Sequence, residues 1–264
     1  MLIKTLDKNE FGKDYIVGDL HGCYDFFELA LNHVNFDTSK DRLFSVGDLI
    51  DRGPDSAKCL KLLDNKWFHA VLGNHEDMAI KAKLQNLPEW DNIWKYNGGD
   101  WYSGEDLTSL SELPTLITVK NSFHVLHAQL DNNIPVDDDD LADPITFAEL
   151  AHKQSYDGDM VIWGRILFRS LFGKDLVNSP TLWNKFKRTI EYHDLDSWMP
   201  NKGLSDIYVG HTPLLQPVRV KSIVNIDTWA CRFIENDKYG LTITDRTNFW
   251  TVNSNGIKKV KCYE

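Results

Sequence analysis

Three apolar runs punctuate the first third of the chain: Asp14-Tyr15-Ile16-Val17, Leu43-Phe44-Ser45-Val46 and Phe68 to Leu72. They are short, rich in β-branched and aromatic residues, and each stops at a glycine, which predicts buried strands. The pattern between them has a different period. Tyr24 to Val34 sets Phe27, Ala30, Leu31 and Val34 at helical spacing, Asp55 to Leu63 does so with Ala57, Leu60 and Leu63, and Glu76 to Leu84 with Met78, Ala79 and Ala82. Strand and helix therefore alternate three times, the signature of an α/β fold with a parallel sheet and right-handed crossovers. Such sheets bind ligands beyond the carboxyl ends of their strands.

The pattern loosens afterwards. Asn86 to Tyr102 is rich in Trp, Asn and Gly and leaves a lid and a packing loop both open. Thr115 to Val119 and Phe123 to Leu126, joined by Lys120-Asn121-Ser122, predict a hairpin. Residues 142–201 read as mixed and partly helical. Asp206 to Val209 predicts a further strand, and Ile223 to Ile226, Leu241 to Thr244 and Phe249 to Val252 predict closing antiparallel strands. No internal repeat, low-complexity tract or linker interrupts the chain, so residues 1–264 are expected to form a single domain.

The strand ends carry the charge. Gly18-Asp19-Leu20-His21-Gly22, Gly47-Asp48-Leu49-Ile50-Asp51-Arg52-Gly53 and Gly73-Asn74-His75-Glu76 each follow a predicted strand. Ions are seldom buried unless they pair or bind metal. Asp19 and His21 alternate around Leu20 and can share one side of an extended chain. Asp48 and Asn74 end the next two strands, and His127 and His211 end two later ones. This oxygen and nitrogen donor set, free of sulfur, suits manganese, iron or zinc better than copper(I). A single carboxylate, Asp48, can bridge two ions about 3.5–4 Å apart. Each piece alone has an ordinary reading, a hydrogen-bonded turn or a satisfied histidine; the ordered set points to a two-metal hydrolytic site.

Bulk properties bound the partners. The formal charge is −10 and the pI about 5.3, which disfavours nonspecific nucleic-acid or anionic-membrane binding. No apolar run approaches membrane-spanning length, and Met1-Leu2-Ile3-Lys4 does not open a signal peptide. Cys23, Cys59, Cys231 and Cys262 are scattered, without a CxxC pair, and are expected as free thiols in a reducing cytoplasm. The acidic run Asp137 to Asp140 reads as a solvated loop in preference to a calcium site, since no EF-hand spacing surrounds it.

The three strand-end stretches resemble the signature motifs of the phosphoprotein phosphatase family within the calcineurin-like metallophosphoesterases. His127-Ala128 and Gly210-His211-Thr212-Pro213 resemble its two later histidine motifs, most closely as found in the small serine/threonine phosphatases of bacteria and bacteriophages, typified by the phage lambda enzyme. The resemblance runs from Asp14 to about Ala230. It implies a calcineurin-like metallophosphoesterase fold, a βαβαβ core within a two-sheet β-sandwich flanked by helices. It implies a metal-dependent phosphomonoester hydrolase acting on phosphoserine or phosphothreonine of a protein or peptide, with phosphotyrosine as a further substrate. Its cofactors are two divalent ions, manganese first, with iron, zinc, nickel or cobalt open.

By the same resemblance Asp19, His21 and Asp48 hold one metal, and Asp48, Asn74, His127 and His211 the other. Arg52 and Arg165, the latter within Ile162-Trp163-Gly164-Arg165, bind phosphate oxygens. His75 protonates the leaving group and Asp51 orients it. Physics agrees with these roles: arginine forks match phosphate geometry, and water between two dications loses its proton near neutral pH. The sequence departs from the family pattern at Gln129, where glycine or an acidic residue is common, and at Trp229, where glycine is common. A symmetrical dinucleoside tetraphosphatase, or another nucleotide phosphohydrolase, uses a related core and stays open as a second reading. A non-catalytic phospho-ligand binding protein is the third. Asp51-Arg52 and Gly73-Asn74-His75-Glu76 favour the phosphatase, since tetraphosphatases tend to vary these motifs.

Overall fold

The computed structural model describes residues 3–130, 137–143, 147, 154–155, 158–165, 204–232 and 239–263. It opens with β1 (Ile3–Leu6), a strand the apolar pattern does not announce because Ile3 alone of its four side chains is buried. The expected βαβαβ unit follows as β2 (Asp14–Val17), α1 (Tyr24–His33), β3 (Arg42–Ser45), α2 (Ser56–Leu60) and β4 (Phe68–Ala70). β2 pairs parallel with β3, and β3 with β4. In α1, Phe27 and Ala30 are buried, while Asp25 in the first turn and His33 in the last suit the helix dipole.

The later helices are shorter than their apolar periodicity predicts. The helix expected over Asp55 to Leu63 divides into α2 and a 3-10 turn, Lys61–Asp64. The one expected over Glu76 to Leu84 starts two residues earlier, as α3 (Asn74–Ala79), and widens into a π turn, Ile80–Leu84. The undecided stretch Asn86 to Tyr102 is neither a free lid nor a loop. It forms α4 (Pro88–Tyr96), begun by a proline at its first turn, and a 3-10 turn, Gly99–Trp101.

β5 (Leu116–Val119) and β6 (Phe123–Leu126) form the expected antiparallel hairpin. The acidic run is not a solvated loop: the Asp137 side chain caps α5 (Asp138–Ala142), accepting from the amides of Asp139 and Asp140. Asp138 in turn accepts from the Ser205 amide and hydroxyl. Of the segment expected between residues 142 and 201, the described part holds a small ribbon, β7 (Gln154–Ser155) with β8 (Gly158–Asp159), and the helical turn α6 (Met160–Trp163). The rest of that segment lies outside the described residues.

The remaining strands are β9 (Asp206–Val209), β10 (Val218–Val220), β11 (Ile223–Asn225), β12 (Leu241–Thr244), β13 (Phe249–Asn253) and β14 (Gly256–Val260). β12 and β13 are antiparallel as expected. β11 corrects the expectation in part: it runs parallel to β9 and antiparallel only to β10.

Two six-stranded sheets result, in the orders β14-β13-β12-β2-β3-β4 and β1-β5-β6-β9-β11-β10. Strand alternation assigns each buried residue to a layer. Ile16 and Phe44 point into the core between the sheets, where the Phe44 ring meets Phe123 edge-on at 5.2 Å. Tyr15, Val17 and Leu43 point the other way, toward Phe27 and Ala30 of α1. On the far side of the second sheet, Leu116, Leu126, Ile207 and Val209 pack with Leu141 of α5 and Val161 of α6. This is a mixed α/β fold, two six-stranded sheets packed face to face and flanked by helices. β2, β3 and β4 are mutually parallel, as are β6, β9 and β11, so each set presents its carboxyl ends together. Among the described residues no helix is long and apolar enough to cross a membrane.

Candidate metal centre

The turns after these strands are pinned to one another through the backbone. The His21 amide donates to the Asp48 carbonyl at 2.8 Å, and the Gly210 amide to the His127 carbonyl at 2.8 Å. Between them the chain turns sharply. His21, Asp48, Asp51, Arg52 and His211 all have φ between 43° and 74°. Non-glycine residues held in this region cost about 1–3 kcal/mol each and persist where surrounding bonds over-determine them. Gly47, at φ 95°, has no such freedom to change: a Cβ there would lie 2.9 Å from His127 Nδ1 and from the Gly73 amide.

Glu76 supplies much of that over-determination. One oxygen accepts from the Asp48 amide at 2.9 Å and the Gly73 amide at 3.1 Å; the other accepts from Leu49 at 2.8 Å and Ile50 at 3.3 Å. Burial and the neighbouring Asp48 carboxylate raise its pKa, while the His127 imidazole and the amide donors work the other way and favour the carboxylate. A single buried side chain thus ties the turn after β3 to the start of α3.

The six ligand candidates converge with different degrees of closeness. Asp48 lies at the middle: one oxygen is 3.3 Å from His127 Nε2, and the other 3.5 Å from His21 Nε2 and 4.0 Å from His75 Nε2. The side-chain donor atoms of Asp48, His127 and His211 lie within 4.8 Å of one another, and so do those of His21, Asp48 and His75. Asn74 Oδ1 accepts from His127 Nε2 at 3.0 Å and His211 Nδ1 at 2.8 Å, joining the first group. Asp19 stands differently: its carboxylate turns onto the His211 amide, at 3.1 and 3.3 Å, while facing the same cleft as His21 and Asp48.

Electrostatics suits a cation. Burial, aided by Arg52 and His75, holds His21 well below the usual imidazole range, and burial with Arg165 and His127 does the same to His211. Both rings therefore keep a lone pair. In each, that pair accepts from a guanidinium: Arg52 Nη1 reaches His21 Nε2 at 2.9 Å, and Arg165 Nε reaches His211 Nε2 at 2.9 Å. His21 Nδ1 donates instead to the Ile50 carbonyl at 3.0 Å, and His127 Nδ1 to the Val46 carbonyl at 2.6 Å, which fixes how each ring is turned. At His127 burial is outweighed by the Asp48 carboxylate, so its pKa rises. Burial, Asp227 and Asp48 raise Asp19 well above the carboxylate range. The donor set fits divalent ions: hard oxygens, lone-pair imidazoles and a carboxylate excess without enough cationic partners.

Beside this group, His75 Nδ1 bonds Asp51 Oδ2 at 2.6 Å, both side chains fully buried, and His75 Nε2 is buried without a partner. The cleft above has a volume of about 360 Å³ and is lined by Arg52, Arg165 and Trp229 among others. Trp229 has φ 62°, a conformation glycine adopts freely, which accounts for the glycine common there in the resembling family. All ten residues nominated from sequence thus lie in or against one site. Gln129, the other departure, is buried away from the cleft's lining.

Three contributors escaped the sequence reading. Asp227 is 3% exposed, lines the cleft, and has its pKa raised to about 6, first by burial. It follows the parallel strand β11, the same signal that marked the other ligand candidates. Trp94 and Trp101 donate their indole N–H groups to Asp51 from the stretch whose role the sequence left open.

A family model described as calcineurin-like phosphoesterase matches residues 15–231. Serine/threonine-protein phosphatase 1 of Salmonella typhimurium is 48% identical over 89 residues, 34% of this chain and 40% of its own. Serine/threonine-protein phosphatase 2 of Escherichia coli is 36% identical over 181 residues, 68% of this chain and 71% of its own. A symmetrical bis(5'-nucleosyl)-tetraphosphatase of Wigglesworthia glossinidia brevipalpis is 40% identical over 83 residues, 30% of each chain. The matches span between 30% and 71% of these relatives' lengths. A solved structure described as a candidate diadenosine tetraphosphatase aligns over 100% of this chain and 99% of its own with TM-score 0.54 at 21% identity, a likeness of fold.

Proposed function

The chain belongs to the calcineurin-like phosphoesterases, and from that premise we propose that it is a two-metal phosphomonoester hydrolase acting on phosphoserine and phosphothreonine in proteins. The observation that carries the proposal is the buried His75–Asp51 pair, at 2.6 Å, set beside the Asp48 carboxylate under a cleft that Arg52 and Arg165 both line. Asp19, His21 and Asp48 would hold one ion, and Asp48, Asn74, His127 and His211 the other, manganese being the first candidate. Bound there, two divalent ions supply charge for the phosphoryl oxygens and acidify a water for in-line attack on phosphorus.

The chain's own residues do the rest. Arg52 and Arg165 turn from the imidazoles that now accept their hydrogen bonds and engage phosphate oxygens with planar, paired donors. His75, its Nδ1–H committed to Asp51, offers Nε2 to the cleft side as the position from which a proton reaches the departing alkoxide. We place the activity in the cytoplasm, in keeping with Cys23, Cys59, Cys231 and Cys262, none of which forms a disulfide among the described residues.

A second reading, a symmetrical dinucleoside tetraphosphatase, is supported by the relatives of that name, which match over about a third of the chain. One panel separates them: hydrolysis of a phosphoserine peptide and of p-nitrophenyl phosphate, followed as phosphate released, and of diadenosine tetraphosphate, followed as ADP formed, with Mn²⁺ and with EDTA. The proposal expects the peptide to be preferred and EDTA to abolish turnover. Preference for the dinucleotide would replace it with the second reading, and turnover in EDTA would remove the metal mechanism.

A further inference from the structure

Three side-chain donors converge on the Asp51 carboxylate. Its Oδ1 takes the Trp101 indole N–H at 2.6 Å, Trp94 Nε1 lies 2.9 Å from Oδ2 and 3.1 Å from Oδ1, and Oδ2 also takes His75 Nδ1 at 2.6 Å. Its amide donates to Ser56 Oγ at 2.9 Å. Asp51 and Trp94 are both 0% exposed. No arginine or lysine is among these donors, so among the described residues the carboxylate is held by two uncharged indoles and the histidine. An indole N–H only donates, and it neither accepts a proton nor competes with His75 for one.

The chain takes trouble to bring the two indoles there. After α4 it reverses through Gly98, at φ 109°, and Gly99. A Cβ on Gly98 would lie 2.7 Å from the Arg52 amide, and one on Gly99 would lie 2.7 Å from the Trp94 ring. Asn97-Gly98-Gly99 therefore lets α4 and the following turn close against the Asp51-Arg52 loop. The two rings then meet at 6.2 Å with planes at 90°, so their N–H groups approach the carboxylate from different directions.

We propose that Trp94 and Trp101 are positioning residues for proton donation to the leaving group: they fix the plane of the Asp51 carboxylate and, through it, the His75 ring. A carboxylate bonded to His75 alone is free to rotate about its Cβ–Cγ bond and to let the imidazole swing. With Trp101 on Oδ1 and Trp94 spanning both oxygens, Oδ2 faces His75 Nδ1 in one orientation, and Nε2 points to one place. The inference rests on the reading of His75 as the acid.

The test exploits leaving-group chemistry. A phosphoserine peptide releases an alkoxide that needs a proton, whereas 2,4-dinitrophenyl phosphate releases an anion that is stable without one. Trp101→Phe keeps the ring and removes the N–H. We expect kcat on the phosphoserine peptide to fall about tenfold, a part of the roughly 10²–10⁴ that an acid supplies, with kcat on the dinitrophenyl ester within about twofold of the parent and KM for the peptide unchanged. Trp94→Phe should behave alike, its thermal midpoint reporting any loss of folding. Equal losses on the two substrates, or no loss on the peptide in either variant, would overturn the inference.

Asp51→Asn run alongside keeps the two ideas apart. If it too spares neither or both substrates equally, the acid assignment itself fails. If it is selective and both tryptophan variants are not, only the positioning role fails. A second readout needs no turnover. In the metal-free protein the indole N–H protons of Trp94 and Trp101 should exchange slowly with solvent and lose that protection in Asp51→Ala; fast exchange in the parent would also overturn the inference.

Discussion

His75 shows how much one residue's surroundings decide. Its Nδ1 is committed to Asp51 and its Nε2 is buried and unpartnered, a combination with no structural purpose if nothing binds nearby. His75→Asn should lower kcat on a phosphopeptide by about 10²–10⁴ and leave the number of bound metal ions per chain unchanged by elemental analysis. A parallel loss of metal would make His75 a ligand, as its grouping with His21 and Asp48 also allows. Glu76 has the opposite character, all structure and no free valence. Glu76→Gln sets an NH₂ group against amides that now donate to a carboxylate oxygen. Leaving two buried donors unpaired costs about 2–6 kcal/mol, visible as a lower urea midpoint at unchanged m-value. The ligand candidates were legible because each ends an apolar run in a residue that burial makes expensive. Trp94 and Trp101 were not, because a tryptophan ring reads as core whether or not its N–H has a task.

At the scale of elements, the βαβαβ unit was legible because both faces of β2 and β3 are covered, which turns them into nearly continuous apolar runs. β1, β10 and β14 escaped for the converse reason. Ile3–Leu6 and Gly256–Val260 carry adjacent polar pairs, Lys4-Thr5 and Lys258-Lys259, that fall on both faces, and Val218–Val220 is three residues long, so pairing partners and not composition make them strands. β1 and β4 each end their own sheet, and a polar contact joins them: Lys4 Nζ lies 3.1 Å from His69 Nδ1. Burial, then Lys4 and Arg42, lower the His69 pKa from 6.5 to about 4. The unfolded chain therefore takes up a proton below pH 6.5 that the folded one refuses until about pH 4. In that window the unfolded state binds more protons, so stability is fully present above pH 6.5 and is lost as pH falls toward 4. The loss amounts to about 2 kcal/mol once partial exposure is discounted. His69→Gln cannot titrate, and denaturant midpoints measured at pH 7 and pH 4.5 should lie closer together in it than in the parent.

For the whole molecule, the carboxyl ends of two sheets meet at a cluster that folding alone leaves short of positive charge. Asp19, Asp48 and Asp227 are 2%, 2% and 3% exposed, and only Asp48 has imidazoles enough around it to overcome its burial and keep its pKa low. Asp19 comes from the sheet containing β2, Asp227 from beyond β11 in the other sheet, so the repulsion acts across the sandwich. A divalent ion that relieves it binds the assembled sandwich and not the unfolded chain. Folding stability should then rise by about 2.7 kcal/mol at a free metal concentration one hundred times Kd. If the chain is one domain, as its sequence leads us to expect, this gain must appear as a single thermal transition displaced upward as Mn²⁺ increases, and reversed by EDTA. A metal-dependent shift confined to one of two transitions would instead mean that the two sheets melt separately. Asp48→Asn distinguishes ligation from general ionic effects: it removes the charge shared by both ligand groups while keeping the side chain's shape, so its transition should be nearly insensitive to Mn²⁺. If the variant shifts as far as the parent, Asp48 is not the centre of the site.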